Sequence, residues 1–287
     1  VAILVPLNVR TFGRTGSTLL MQILATDARV CFERVYPFEA RLLTYAHNLA
    51  RMVRTPVDDP TAWNNDLLFQ GRSPMVGGLP YGPLDSIDDT DRLSDELFVA
   101  TWEQFSRAMR RRAQLADGVD AWYAEKAPHQ VADVANRLLG ARNVFLLRDP
   151  RDEMVSIKSF NAKRGFNGFG WQDDDDDASY ANRLCRNRRA FMRKLQTLQT
   201  DERRIAVRYE DLVHQGAAQT ARLAEWLGAD LDYRSATGDV EIQRQHMTAS
   251  NASASVERWR DELDENVRRI FVRELGEELS GLGYALD

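Results

Sequence analysis

Cysteine is almost missing from this chain: Cys31 and Cys185 are the two among 287 residues. Two thiols so far apart make neither a disulfide framework nor a zinc ligand set, so a reducing, cytoplasmic setting is expected. Long hydrophobic runs are missing too. The stretch TLLMQIL falls well short of the ~20 apolar residues that a membrane-spanning helix needs. Positive charge is not in excess, with 38 Lys and Arg against 43 Asp and Glu and a net charge of -5. No global basic field therefore recruits nucleic acid or an anionic membrane, and any bound anion has to be gripped locally. A Gly-Lys-Ser/Thr triplet is also absent. That speaks against the magnesium-dependent triphosphatase loop, whose lysine sits on the outer phosphates.

What remains is an ordinary globular composition, 44% hydrophobic and 28% charged, long enough to bury a core without staples. The chain opens on Val1 rather than methionine, so it is expected to be trimmed or cut from a longer polypeptide. Periodicity predicts strands at Leu7 to Phe12, Asn143 to Leu147 and Ile205 to Tyr209, with a short apolar run at Ala121 to Ala124. Helices are predicted at Leu19 to Leu24, Pro37 to Val53, Leu93 to Leu115, His129 to Leu139, Arg151 to Phe160, Ala178 to Leu198, Ala217 to Leu227 and Asp261 to Leu279. Asp149 reads as an N-cap, with Pro150 in the first turn. The alternation implies an α/β fold, a three-layer sandwich with a mostly parallel central sheet and a P-loop-like nucleotide-binding core. A single domain over 1-287 is expected, with insertions near 55-91 and 161-177. The acidic run Asp173 to Asp177 reads as a solvated, mobile loop.

Two segments carry the chemistry. GRTGSTLL lies between a strand and a helix, where free backbone N–H groups and the helix dipole favour an anion. Arg14, Ser17 and Thr18 there can meet a phosphate or sulfate ester without an obligatory metal. LLRDPRDEMVSIKSF again follows a buried strand and opens a helix, placing Arg148 at the strand end and Ser156 eight residues on. If the two strands are neighbours, both grips face one crevice. The bland readings are a glycine turn with a surface arginine, and an Arg148 paired with Asp149 or Asp152.

Together, GRTGSTLL and RDPRDEMVS resemble the 5′-phosphosulfate loop and the 3′-phosphate motif of sulfotransferases that use 3′-phosphoadenosine 5′-phosphosulfate (PAPS). The resemblance extends to YAEKAPHQV, VRYEDL and the tail SNASASVERWRDEL. It implies donor contacts from Arg14, Thr15, Gly16, Ser17 and Thr18 at the 5′ end and from Arg148 and Ser156 at the 3′ end. It also implies Tyr209 near adenine and Ser250, Ser253, Ser255 and Arg258 in a closing loop. The implied activity is transfer of the sulfuryl group to a hydroxyl or amine of a small molecule, lipid, sugar or peptide, with no metal required.

For catalysis, Arg14 would meet the charge on the bridging and leaving oxygens, with Lys126 supporting it. The acceptor proton needs a base, and the resemblance implies Glu33, which follows the first helix where related enzymes with a glutamate base carry that residue; its neighbours Phe32, Val35, Tyr36 and Phe38 could raise its pKa. Glu39 is its neighbour and rival; His129 is second. Plain alternatives are an ion pair of Glu33 with Arg34 or Arg29, of Lys126 with Glu125, and a packing or capping role for His129. Two rival functions are a nucleotide kinase and an inactive nucleotide- or partner-binding domain of the same fold.

Overall fold

The computed structural model describes residues 3–32, 41–51, 53, 89–237, 248–249 and 251–287. Its five strands are β1 (Val5–Arg10), β2 (Val30–Cys31), β3 (Trp122–Glu125), β4 (Arg142–Leu147) and β5 (Arg204–Arg208), in the order β2-β3-β1-β4-β5. The chain divides into two compact units, Val1–Asn8 with Ala28–Arg142, and Val9–Asp27 with Asn143–Asp287.

In the first unit β3 pairs in parallel with β2 and with the start of β1, Val30 and Val5 both standing opposite Trp122. β1 begins at Val5, two residues before the predicted Leu7, and includes Pro6. Helices α2 (Leu42–Arg51), α3 (Thr90–Arg112) and α4 (His129–Leu139) complete this unit. Trp102 of α3 is fully buried, and its indole N–H donates to the Leu4 carbonyl at 3.0 Å. Asp89 caps α3 by accepting from the Arg92 amide at 2.8 Å. The predicted helix 37–53 is described only from its later part, and the excursion 55–91 lies outside the described residues up to position 88.

In the second unit β4 and β5 pair in parallel from Asn143 opposite Arg204 to Leu147 opposite Arg208. Around them stand α1 (Ser17–Leu24), α5 (Pro150–Arg164), α6 (Asp177–Gln196), α7 (Tyr209–His214), α8 (Gly216–Leu227), α9 (Tyr233–Thr237) and a C-terminal helix, Glu265–Gly281. Phe145 and Leu147, Met154 and Ile157, Leu184 and Met192, and Phe271 and Leu275 form its apolar core. The expected α/β architecture with a parallel sheet is thus present. Both cysteines are buried as thiols, outside any disulfide.

Two local readings need correction. Helix α5 runs past Phe160 to Arg164, where Gly165 adopts φ 74° and ends it as a left-handed cap. The single helix expected from Asp261 is broken, because Leu263 is extended between a turn at Trp259–Glu262 and the helix from Glu265. The acidic run is an exposed loop at Asp173, Asp174 and Asp176, and its end is tied to the helix that follows. Asp176 and Ser179 form a capping box for α6, Asp175 pairs with Arg183, and Asp177 pairs with Lys158.

Candidate active site

The site is built within the second unit, where β1 ends in the turn Thr11–Gly16. Arg14 sits at φ 66°, a left-handed conformation uncommon for a side-chain-bearing residue, and Gly16 follows at φ 89°. Gly16 is required twice over. A Cβ on it would lie 2.1 Å from Cδ2 of the Tyr209 ring, so the tyrosine packs directly on the turn. Thr15 turns inward and its hydroxyl donates to the Phe12 carbonyl at 2.8 Å, which ties the turn shut. No side chain caps α1, leaving the amides of its first turn to face whatever anion the turn admits.

From β4 comes Arg148, 4% exposed. Its guanidinium donates to the Arg14 carbonyl at 2.9 Å and to the Ser255 carbonyl, and lies 4.7 Å from the centroid of the Tyr209 ring. Arg148 Nε is buried and has no hydrogen-bond partner among the described residues. Ser156, one face of α5 further on, accepts from Arg14 Nε at 3.1 Å. The two motifs therefore meet, as the sequence led us to expect. Neither Asp149 nor Asp152 is hydrogen-bonded to Arg148. Asp149 caps α5 and binds Arg151 through both oxygens, at 3.0 Å from Nε and 2.7 Å from Nη2.

These groups line one partly open cavity, of the concave kind in which small molecules bind. Its wall contains Arg14, Gly16, Ser17, Thr18, Arg148, Ser156, Tyr209 and Ser255 from the sequence reading. The Tyr209 hydroxyl and Ser255 Oγ are 2.8 Å apart. Thr15, Ser253 and Arg258 are not part of the wall. Thr15 is buried by its own turn, Ser253 is exposed, and Arg258 stands behind, donating to Thr248 Oγ1 at 3.2 Å and Ser159 Oγ at 3.1 Å. Sequence reasoning missed Leu19, Gln22, Tyr233, Thr237 and Thr248, which also line the cavity. Gln22 had a signal, being the single polar residue among the apolar ones after Thr18 and buried nonetheless. Tyr233 had none. It comes from a five-residue helix and its ring packs where a Gly216 Cβ would stand, 2.1 Å from Cζ.

Glu33, Glu39, Tyr36 and Ser250 lie outside the described residues. Lys126 and His129 belong to the first unit. Lys126 is half-buried, and its neighbour Glu125 is committed elsewhere, accepting from the Leu43 amide at 2.8 Å and the Thr44 amide at 3.1 Å as the cap of α2. Burial pushes the Glu125 carboxyl up despite these bonds. His129 is exposed and contacts Asp133 one turn on, at 2.6 Å. Among the described residues no cluster of His, Cys, Asp or Glu is arranged to hold a metal, and no helix is long and apolar enough to cross a membrane.

Two carboxyls beneath the cavity are displaced upward, Asp152 and Glu210, each to about 6, chiefly because burial penalises the charged form. A folded-state pKa above the unfolded one stabilises at low pH, and that contribution is lost as pH rises through about 6. For Glu210, displaced from 4.5 to about 6, the change is about 2 kcal/mol across the window. The melting temperature of Glu210→Gln is accordingly expected to fall less between pH 4.5 and 6.5 than that of the unaltered chain. Thermal melts at several pH values check this; parallel curves would refute it.

A family model described as "Sulfotransferase family" matches residues 6–233. No curated protein matches the sequence. Among solved structures, the sulfotransferase domain from the curacin biosynthetic pathway is 15% identical with 100% of both chains covered and a TM-score of 0.52. The sulfotransferase from Alicyclobacillus acidocaldarius is 12% identical, covering 98% of this chain and 95% of that one, with a TM-score of 0.47. Mouse sulfotransferase SULT7A1 complexed with PAP is 10% identical, with 98% and 89% covered and a TM-score of 0.47. The first of these supports the fold.

Proposed function

Because the chain belongs to the sulfotransferase family, we propose that it moves the sulfuryl group of PAPS onto a hydroxyl or amine of an acceptor by in-line displacement. The observation that carries this reading is the meeting of two anion grips in one cavity, the turn at Gly16 with the uncapped start of α1, and Arg148 with Ser156. A nucleoside carrying phosphate at both ends is the ligand that such a pair suits.

In this reading the first-turn amides of α1 with Ser17 and Thr18 hold the 5′ phosphosulfate, and Arg148 with Ser156 holds the 3′ phosphate. The partnerless Nε of Arg148 is a donor left for that phosphate to satisfy. Tyr209, anchored on Gly16 and Ser255, offers a ring face to the base. Arg14 stabilises charge on the leaving oxygens, since its guanidinium stays charged and can span two of them. Lys126 supports it, and Glu33 removes the acceptor proton, with Glu39 and His129 as substitutes for that role. In this reading Arg14 and the amides meet the charge of the leaving phosphate, and no metal is called on.

Titration with adenosine 3′,5′-bisphosphate and with ATP plus magnesium, followed by transfer assays from labelled PAPS, tests the reading. Preference for ATP would support a kinase, and bisphosphate binding without transfer to any acceptor class would support an inactive binding domain. Glu33→Gln is expected to lower turnover by about 10²-fold, the lower end for loss of a general base, with bisphosphate affinity unchanged. Turnover near that of the unaltered chain would remove Glu33 from the mechanism.

A further inference from the structure

The carboxylate of Asp152 lies directly behind the donor grip and is 1% exposed. Its two oxygens accept from the backbone amides of Glu257, at 2.6 Å, and Trp259, at 3.0 Å. Glu257 holds φ 60°, so the turn that presents these two amides is a left-handed one. The same segment supplies Ser255, whose carbonyl accepts from Arg148 and whose hydroxyl meets Tyr209. Asp152 thus secures the segment that carries one wall of the cavity, and it does so next to the arginine that wall depends on.

The charge around this carboxylate is lopsided. Arg148 is the cation that favours its ionised form, Asp149 opposes it, and burial opposes it most. The other charged groups nearby are occupied with one another. Arg151 is bound to Asp149 and stacks at 3.6 Å on the Trp259 ring, Glu153 is paired with Arg188 of α6, and Arg258 is paired with Glu262. Glu210 of α7 accepts from the Asp149 amide and the Tyr284 hydroxyl, and Arg260 lies with Glu257. An anion settling on Arg148 offsets the one charged side chain that favours ionised Asp152, leaving the two backbone amides alone against burial and Asp149, and adds repulsion of its own.

We propose that donor binding is proton-linked through Asp152: when a phosphate dianion seats on Arg148, the buried carboxylate takes up one proton from water and holds the 257–259 turn as a neutral acid. The inference rests on the donor reading above. Nothing is oxidised or reduced, and the proton comes from solvent. Both oxygens retain a lone pair for the two amides, so the turn keeps its anchor while the like charges are removed from the cavity floor. Asp152 is a positioning residue, acting on the donor through Arg148 and Ser255.

The test is calorimetry of the full chain with adenosine 3′,5′-bisphosphate near pH 6.5, in buffers of different ionisation enthalpy, for the unaltered protein and Asp152→Asn. Phosphates meeting arginine release protons, the opposite sign, so the difference between the two proteins isolates the aspartate. The unaltered chain is expected to take up more protons per ligand than the variant, and its affinity relative to the variant's to rise as pH falls. Each unit by which the ligand raises the Asp152 pKa is worth about tenfold in affinity between the alkaline and acid limits, a slope that the variant lacks. Equal proton counts in two proteins that both bind would overturn the inference and leave the donor reading standing; absence of binding by the unaltered chain would overturn both. Should Asp152→Asn not fold, the carboxyl carbon-13 titration of Asp152 in the unaltered chain decides. A midpoint that rises on adding the bisphosphate supports the linkage, and an unmoved one refutes it.

Discussion

Arg148→Ala is expected to weaken binding of adenosine 3′,5′-bisphosphate by about 10³-fold, since truncating one side of a buried, hydrogen-bonded charge pair costs roughly 2–5 kcal/mol. Three connections end at this side chain. It donates to the Arg14 carbonyl and the Ser255 carbonyl, and lies over the Tyr209 ring. Its loss therefore removes both the phosphate grip and a brace between the 5′ turn and the closing segment. Arg148→Lys should recover only part of the affinity, because an ammonium on a flexible stem cannot reach two carbonyls and a phosphate from one planar fork. Calorimetric titration of both variants checks this. Comparable affinity for alanine and arginine at this position would place the 3′ phosphate elsewhere.

Gly16→Ala should be as damaging for a different reason. The residue sits at φ 89°, which costs an L side chain roughly 1–2 kcal/mol, and the added methyl would stand 2.1 Å from Tyr209. The ring has to leave, its hydroxyl loses Ser255, and the first-turn amides of α1 lose their alignment. Binding of the bisphosphate is expected to drop by about 10³-fold or more, some 4 kcal/mol, while the far-UV circular dichroism stays that of the unaltered chain. Retention of binding within a few-fold would show that the turn tolerates the methyl and does not position the donor.

Much of this site was legible because its residues are held locally. Asp149 and Pro150 mark the start of α5 by cap and fixed φ, and the glycine-rich turn after β1 marks the start of α1, so the two grips could be placed before any coordinates. What brought Arg14 and Ser156 within 3.1 Å is the approach of α5 to the β1 turn, and no local signal encodes that distance. Tyr233 and Thr248 escaped for the same reason, joining the wall through tertiary packing of segments without a strong period of their own. The end of α5 was a missed local signal, since Arg164-Gly165 is a basic last turn followed by a glycine cap. The acidic run is the exposed loop that its charge implied, but the capping pattern that Asp176 and Ser179 spell at its end went unread.

The last residues of the chain also bear on the site. Arg151, buried under Trp259, donates to the Ala285 carbonyl at 2.6 Å, and the Tyr284 hydroxyl donates to Glu210 at 3.1 Å. Releasing these residues would take one carbonyl from the buried Arg151 guanidinium and one hydroxyl from the buried Glu210 carboxyl, while each keeps Asp149 as a partner, so the Tyr284 amide, which donates to the Leu279 carbonyl, should exchange more slowly than the exposed amides of 285–287.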